Sequence, residues 1–215
     1  MTNLKTIITA GVMGLATLLP GRAESDNLSG NVKYIQTSNE SNSLGSYPET
    51  NVFYGLPRGM KGFTFMDLYT DGDGYFGKTS INKHLTHGVS AKAQAIHGGN
   101  NPVENIGLGA SVVVPGLPER ISASVTGLPV YLDLDGKRVN DKSRWSYFIN
   151  TSLPRGFNVS SFGEWNVADS PKWTYGEIEL TKQVGPVTIG YNIGLIDNDS
   201  AIPCLENRAS VIASF

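Results

Sequence analysis

Cysteine is almost absent from the 215-residue chain, and Cys204 is the single example. No disulfide can form within the chain, which excludes the disulfide-rich class of small secreted domains. Basic residues (17) do not outnumber acidic ones (19), so the sequence lacks the electrostatic footprint of a nucleic-acid-binding protein. After residue 23, no apolar run reaches the length of a transmembrane helix. Transmembrane β-strands remain compatible with this absence, because about ten alternating residues give a much weaker hydropathy signal.

The first 23 residues have the features of a signal peptide. Lys5 precedes an apolar run over residues 7–19, and the small residues that follow favour cleavage after Ala23. We therefore expect a signal peptide at residues 1–23 and one domain at residues 24–215. Cleavage removes two of the 17 basic residues and no acid, which leaves 15 basic and 19 acidic residues and a net charge of −4. An exported chain without disulfides indicates a bacterial envelope.

The rest of the chain shows an apolar pattern with a period of two, which is typical of β-strands. Residues 63–70, 75–85 and 89–97 form three successive predicted strands, joined by turns at residues 71–74 and 86–88. Nine further strands are predicted at residues 31–38, 51–56, 105–114, 119–126, 144–151, 157–167, 173–184, 187–196 and 207–215. Residues 39–50 and 132–142 are predicted loops. This pattern predicts an all-β fold, an antiparallel up-and-down transmembrane β-barrel of about 12 strands (10–12).

Charge decides which strand faces point into the predicted barrel. A lipid-facing Lys or Arg near the bilayer midplane costs ~2–4 kcal/mol, so charged faces should line the lumen. The predicted lumen or substrate-binding residues combine aromatic and charged side chains: Phe63, Phe65, Asp67, Tyr69, Lys78, Lys92, Arg120, Trp173, Tyr175, Glu177 and Glu179. Inward aromatics either fill a narrow barrel or stack flat solutes such as nucleobases, at ~1–3 kcal/mol per base.

Several of these strands share a pattern with one known family. Phe63, Phe65, Asp67 and Tyr69 alternate along one strand, and the next strand restarts at Gly74-Tyr75-Phe76; glycines follow at residues 98–99, 107 and 109. Phe162-Gly163-Glu164-Trp165 and the acidic strand at residues 177–179 continue the pattern. Together they resemble the Tsx-type nucleoside-specific channels of bacterial outer membranes. The resemblance implies a monomeric twelve-stranded barrel that passes nucleosides by facilitated diffusion, with Glu164 in the lumen where that family often has Asp. The chain is shorter than typical members.

The C-terminal strand indicates how such a barrel would be assembled. Ala209, Val211 and Ala213 share one face, and the chain ends in Phe215, as in the terminal strand that the bacterial barrel-assembly machinery reads. We therefore expect as partners the outer-membrane lipid, the barrel-assembly machinery through Phe215, and a small-molecule solute. No nucleic acid is expected, and the protein is predicted to be a monomer in the bacterial outer membrane.

No cofactor, metal site or catalytic residue is predicted. Asp71 and Asp73 begin like a calcium loop, but Tyr75 and Phe76 stand where a ligand and the turn glycine should be. The three histidines show no Ser/His/acid spacing of a hydrolase. Two alternatives to a channel remain open: a soluble, exported β-sandwich or lipocalin-like binding protein, and a closed structural or adhesion barrel that binds through loops such as residues 132–142.

Overall fold

The computed structural model describes residues 28–38, 45–68, 74–98, 101–133, 136–168, 172–196 and 204–215. The strands are β1 Leu28–Ser38, β2 Gly45–Leu56, β3 Met60–Leu68, β4 Tyr75–Thr86, β5 Val89–Gly98, β6 Asn101–Val113, β7 Ile121–Asp133, β8 Arg138–Val139, β9 Arg144–Leu153, β10 Phe157–Asn166, β11 Lys172–Val184, β12 Val187–Ile196 and β13 Cys204–Ser214. Among these residues, no helix is long and apolar enough to cross a membrane. The predicted signal peptide and residues 69–73 lie outside the described part of the chain.

Twelve of the strands form one closed antiparallel sheet. Each pairs with its neighbours along the chain, except that the two-residue β8 pairs only with β7, so β9 takes the next place beside β7. The first and last strands close the ring, from Asn31 opposite Ser214 to Ser38 opposite Asn207. Closure leaves no edge strand unpaired. The predicted all-β, up-and-down barrel of about twelve strands is confirmed, and the two-sheet sandwich is wrong.

The two ends of the barrel differ in the length of their connections. Short turns at Pro57–Gly59, His87–Gly88, Pro154–Gly156 and Gly185–Pro186 lie at the same end as the first residue of β1 and the last residue of β13. Two of them repeat the sequence Pro-Arg-Gly, with Arg58 and Arg155 at φ of 64° and 63°. We call this the turn end of the barrel and the opposite end the loop end.

An ion pair across the ring identifies the inner face. Lys78 on β4 and Glu164 on β10 have Nζ and Oε2 3.0 Å apart, although at least four strands separate β4 from β10 in either direction around the ring. Two side chains that meet in this way must both point into the lumen. The strand pairing then assigns each of the remaining strand side chains to the lumen or to the outer surface, because successive residues of a strand alternate between the two faces.

The outer surface of the barrel is apolar. Large exposed side chains on it include Ile178, Leu180, Ile189, Ile193 and Val211, with 42% to 59% of their surface accessible. Glu177 and Glu179, which alternate with Ile178 and Leu180 along β11, point into the lumen. Apolar outside and charged inside is the arrangement of a membrane-spanning barrel. It is the reverse of a soluble lipocalin-like barrel, so that alternative is also wrong.

Two predicted loops contain strand residues. Residues 45–50, assigned to a loop, belong to β2 and pair with β1. Strand β7 continues to Asp133 along β6, and β8 folds back onto it from inside the predicted loop at residues 132–142. Polar residues and prolines interrupt the apolar alternation in these extensions, so the sequence pattern did not identify them as strands. Near the loop end of a barrel, polar side chains do not have to be buried in lipid, so the alternation that identifies a strand is weak there.

Candidate functional site

A cationic cluster in the lumen centres on Glu164 of β10. Its Oε2 accepts a hydrogen bond from Lys78 Nζ at 3.0 Å, and its Oε1 accepts one from Arg144 Nη1 at 2.9 Å. The Glu164 residue is only 5% exposed. Lys92 of β5 lies on the same lumen face, and within the described residues it makes no ion pair. We define Lys78, Lys92, Arg144 and Glu164 as the cationic cluster; three cations and one carboxylate give it a formal charge of +2.

Aromatic rings surround the lysine that crosses the lumen. Lys78 Nζ lies 5.9 Å from the ring centre of Phe76 and 5.8 Å from that of Phe162, within the range of cation–π attraction. Phe162 in turn lies 6.0 Å from Tyr175 between ring centres, and Phe65 lies 6.1 Å from Phe76. We call these four rings the aromatic bridge; they lie in two pairs, Phe65 with Phe76 and Phe162 with Tyr175, and Lys78 lies between the pairs.

Five carboxylates and two cations lie beyond the aromatic bridge, and we call them the acidic wall: Glu49, Asp67, Glu177, Glu179 and Glu206, with Lys33 and Arg208. Both cations are held by carboxylates of the wall. Lys33 Nζ is 2.5 Å from Glu179 Oε1, and Arg208 Nη2 is 2.6 Å from Glu206 Oε2 and its Nη1 3.7 Å from Glu177 Oε2. With five acids and two bases, the formal charge of the wall is −3.

Neutral donors complete the hydrogen bonding of Glu177. Its Oε2 accepts a hydrogen bond from the hydroxyl of Tyr175 at 2.5 Å and another from the amide of Asn192 at 2.8 Å. Arg208 donates to the same tyrosine hydroxyl at 2.9 Å. Tyr175 therefore joins the aromatic bridge to the acidic wall through its hydroxyl group.

Charge in the lumen is thus separated across the channel rather than along it. The cationic cluster draws on β4, β5, β9 and β10, whereas the acidic wall draws on β1, β2, β3, β11 and β13. A solute in the lumen would lie between walls of opposite charge with aromatic rings beside it. Within the described residues, no three metal-ligating side chains converge, and the lumen groups are suited to orienting polar solutes through charge and ring faces.

The structure places most of the predicted lumen residues on the lumen face: Phe63, Phe65, Asp67, Lys78, Lys92, Glu164, Tyr175, Glu177 and Glu179. It brings Lys78 and Glu164 together beside the aromatic bridge, to which Tyr175 belongs. Phe63 instead packs on Phe53 nearer the turn end, with ring centres 4.8 Å apart. Tyr69 lies outside the described residues. The binding of solute by these side chains stays a prediction.

Trp173 was predicted to face the lumen, and that prediction is wrong. A β-bulge shifts the register between β10 and β11, so that Glu164 lies opposite Tyr175 but Trp165 lies opposite Trp173. The extra residue, Thr174, moves Trp173 to the outer face. There its ring lies over Gly163 and Gly176, where added Cβ atoms would be 2.7 Å and 1.9 Å from it, and it packs edge-on against Trp165 with ring centres 4.7 Å apart.

Arg120 was also predicted to line the lumen, but it lies in the turn that precedes β7. The residue is exposed at the turn end, and its carbonyl accepts a hydrogen bond from the backbone of Ser152 at 2.9 Å. The predicted strand began two residues early, because Arg120 fits the alternation of polar with apolar side chains that continues through Ile121 and Ser122. Arg120 is therefore not part of the lumen wall between the strands.

Sequence reasoning missed the five residues that complete the cationic cluster and the acidic wall: Lys33, Glu49, Arg144, Glu206 and Arg208. The charge rule that oriented Asp67 would also have placed Lys33 and Arg208 inward, because each shares its strand with apolar residues of the opposite parity. Glu49 fell in a predicted loop. Arg144 begins its strand and Glu206 precedes the predicted start of β13, so neither position had a clear alternation around it.

Comparison with known proteins locates this barrel among solved folds. No protein-family model matches the chain, and no curated protein matches it. A solved KdgM porin superposes with a TM-score of 0.59 at 9% identity, over 86% of this chain and 99% of that porin. The fold is that of a porin. The NanC porin superposes with a TM-score of 0.55 at 12% identity, over 86% of this chain and 98% of its own.

A third solved structure is a porin in complex with a saccharide. The KdgM porin in complex with disordered oligogalacturonate gives a TM-score of 0.59 at 9% identity, over 87% of this chain and 99% of that one. At such identities the likeness concerns the fold alone. A porin fold agrees with the barrel that the resemblance to Tsx-type channels implies, and the nucleoside-channel type itself stays a prediction.

Proposed function

We propose that the protein is a passive, non-enzymatic channel of the bacterial outer membrane for small polar solutes. The observation that carries this proposal is the polarity of the closed barrel, with apolar side chains outside and charged side chains within. Charge inside a barrel is costly to maintain unless water or polar solutes enter it. The porin fold supports the same function, since narrow barrels of this kind surround a solute path.

The lumen groups favour solutes that are both polar and flat. A solute between the acidic wall and the cationic cluster meets donors and acceptors on opposite sides, and Phe76, Phe162 and Tyr175 offer ring faces. Nucleosides combine a flat base with a polar sugar, and base–aromatic stacking supplies ~1–3 kcal/mol per base. We therefore propose nucleosides as one solute class of the channel, in line with the resemblance to Tsx-type channels.

Liposome swelling tests this solute preference. Liposomes that contain the purified protein should swell faster in a nucleoside than in a disaccharide of similar size. Phe162→Leu should remove the preference, whereas Phe53→Leu, a matched control in the lumen near the turn end, should leave it unchanged. Equal swelling rates for the two solutes with the unmodified protein would contradict the preference and leave the channel function intact.

The C-terminal residue has the exposure that assembly would require. Phe215 is 58% exposed, although its backbone amide and carbonyl are hydrogen-bonded to Gly30 at 3.0 Å and 3.1 Å. Its ring is thus available while its backbone completes the closure of the barrel. We propose that the barrel-assembly machinery recognises this residue after export by the signal peptide at residues 1–23.

A further inference from the structure

One carboxylate oxygen of the acidic wall has no hydrogen-bond donor in the part of the chain that the structure describes. Asp67 is 8% exposed, and its Oδ1 has no hydrogen-bond donor within the described residues. The strand pairing explains why. The residue opposite it on β2 is Glu49, which is an acceptor, and the residue opposite it on β4 is Phe76, which has no polar side-chain atom. A buried acceptor without a donor is costly, so this position is suited to a donor that enters the lumen.

The cations of the acidic wall make their ion-pair contacts with other carboxylates of the wall. Lys33 is the cross-strand neighbour of Glu49, but its ammonium group contacts Glu179. Arg208 is held by Glu206 and Glu177. Among the described residues, Glu49 itself accepts one side-chain hydrogen bond, from the neutral amide of Asn51 at 2.7 Å. Two adjacent carboxylates, Glu49 and Asp67, therefore face the lumen, and neither makes an ion-pair contact with a cation of the described residues.

Aromatic rings flank this pair of carboxylates. Phe76 lies directly opposite Asp67, Phe65 lies two residues from Asp67 on the same lumen face, and the two rings are 6.1 Å apart between centres. An ammonium group gains from carboxylate oxygens through charge-assisted hydrogen bonds and from ring faces through cation–π attraction. Both kinds of partner are present here.

We infer that Glu49 and Asp67 form a lumen site for the ammonium group of an organic solute. This inference rests on the proposed channel function and names the charge of the solutes that the channel favours. A solute bound there by its ammonium group points its other end towards Phe162 and the cationic cluster. Amines that carry an aromatic or anionic group at that other end therefore match the lumen best.

Bi-ionic reversal potentials in planar bilayers test the site with two probes of matched size, n-butylammonium and n-butyrate. The unmodified protein should be more permeable to butylammonium. Asp67→Asn, which keeps the side-chain shape and removes the charge, should lower the permeability ratio about fivefold, the effect of one unit charge at contact distance in a water-like dielectric. Glu49→Gln should lower it by a similar factor. Glu119→Gln, the same charge change in an exposed turn, is the matched control and should leave the ratio unchanged.

The outcomes separate this inference from the channel function. A protein that conducts neither ion contradicts the channel itself. A conducting protein whose permeability ratio is the same in Asp67→Asn, Glu49→Gln and the unmodified form overturns the ammonium site and leaves the channel standing. An equal loss in the Glu119→Gln control would also overturn the site, because overall charge would then determine the ratio.

Discussion

Trp173 faces away from the lumen because one extra residue, Thr174, sits in β11 opposite β10. This placement can be tested, because the chain has three tryptophans and the other two, Trp145 and Trp165, can be replaced with Phe. In lipid vesicles, the remaining Trp173 fluorescence should be quenched strongly by brominated lipids and weakly by aqueous iodide. Strong iodide quenching with no effect of bromine would instead place the ring in the lumen.

Glu164 holds two cations, and its contact with Lys78 crosses the lumen. The substitution Glu164→Gln should raise the permeability of chloride relative to potassium, because Lys78 and Arg144 then lack their shared carboxylate. Their side chains are 22% and 27% exposed, so the loss in free energy of unfolding should stay below the ~3–5 kcal/mol typical of a fully buried pair. Reversal potentials in a potassium chloride gradient measure the first effect, and urea unfolding measures the second.

Glu119→Gln is again the matched control for charge, since it removes the same carboxylate from an exposed turn. An unchanged ion preference in Glu164→Gln would show that the two cations do not face permeating ions.

At the scale of strands, the contact between β6 and β7 depends on Gly109. The register of these strands shifts between Leu108 and Ala110, and a Cβ atom at Gly109 would lie 1.9 Å from the carbonyl oxygen of Gly127. Because that atom belongs to the backbone, it cannot turn away as a side chain can. Gly109→Ala should therefore lower the free energy of unfolding by about 1–3 kcal/mol or more.

The control for this strand effect is Gly194→Ala. The nearest atoms to a Cβ at that position belong to the Arg208 side chain at 3.6 Å, an ordinary contact distance. Urea unfolding in vesicles, followed by the change in gel migration on heating, should show a large loss for Gly109→Ala and a small one for Gly194→Ala. Equal stability of the two variants would mean that the bulge can relax.

The strands also differ in how far their sequences determine their position and the faces they present to the site. A period of two was enough to find twelve strands, because one face of each must be apolar in lipid. Asp67 and Glu177 then oriented their own strands through the cost of a charge in lipid. Trp173 could not be oriented in this way, since a bulge changes parity without changing composition. The contact of Lys78 with Glu164 could not be predicted either, because it joins distant strands whose spacing depends on the closed barrel.

At the scale of the whole molecule, the main feature is a lumen whose charge is separated from one side to the other. The acidic wall and the cationic cluster carry formal charges of −3 and +2, and the aromatic bridge lies between them. This arrangement gives the channel a transverse field, which would orient polar solutes during their passage.

Conductance of single proteins in a planar bilayer tests the central claim most directly. Purified protein added to one side should produce discrete current steps in potassium chloride, and Glu164→Gln should change their size because it removes the carboxylate of the ion pair that crosses the lumen. An inserted, folded barrel that gives no current steps, with or without that substitution, would contradict the channel. That result would favour the alternative of a closed barrel that binds its partner through loops such as residues 132–142.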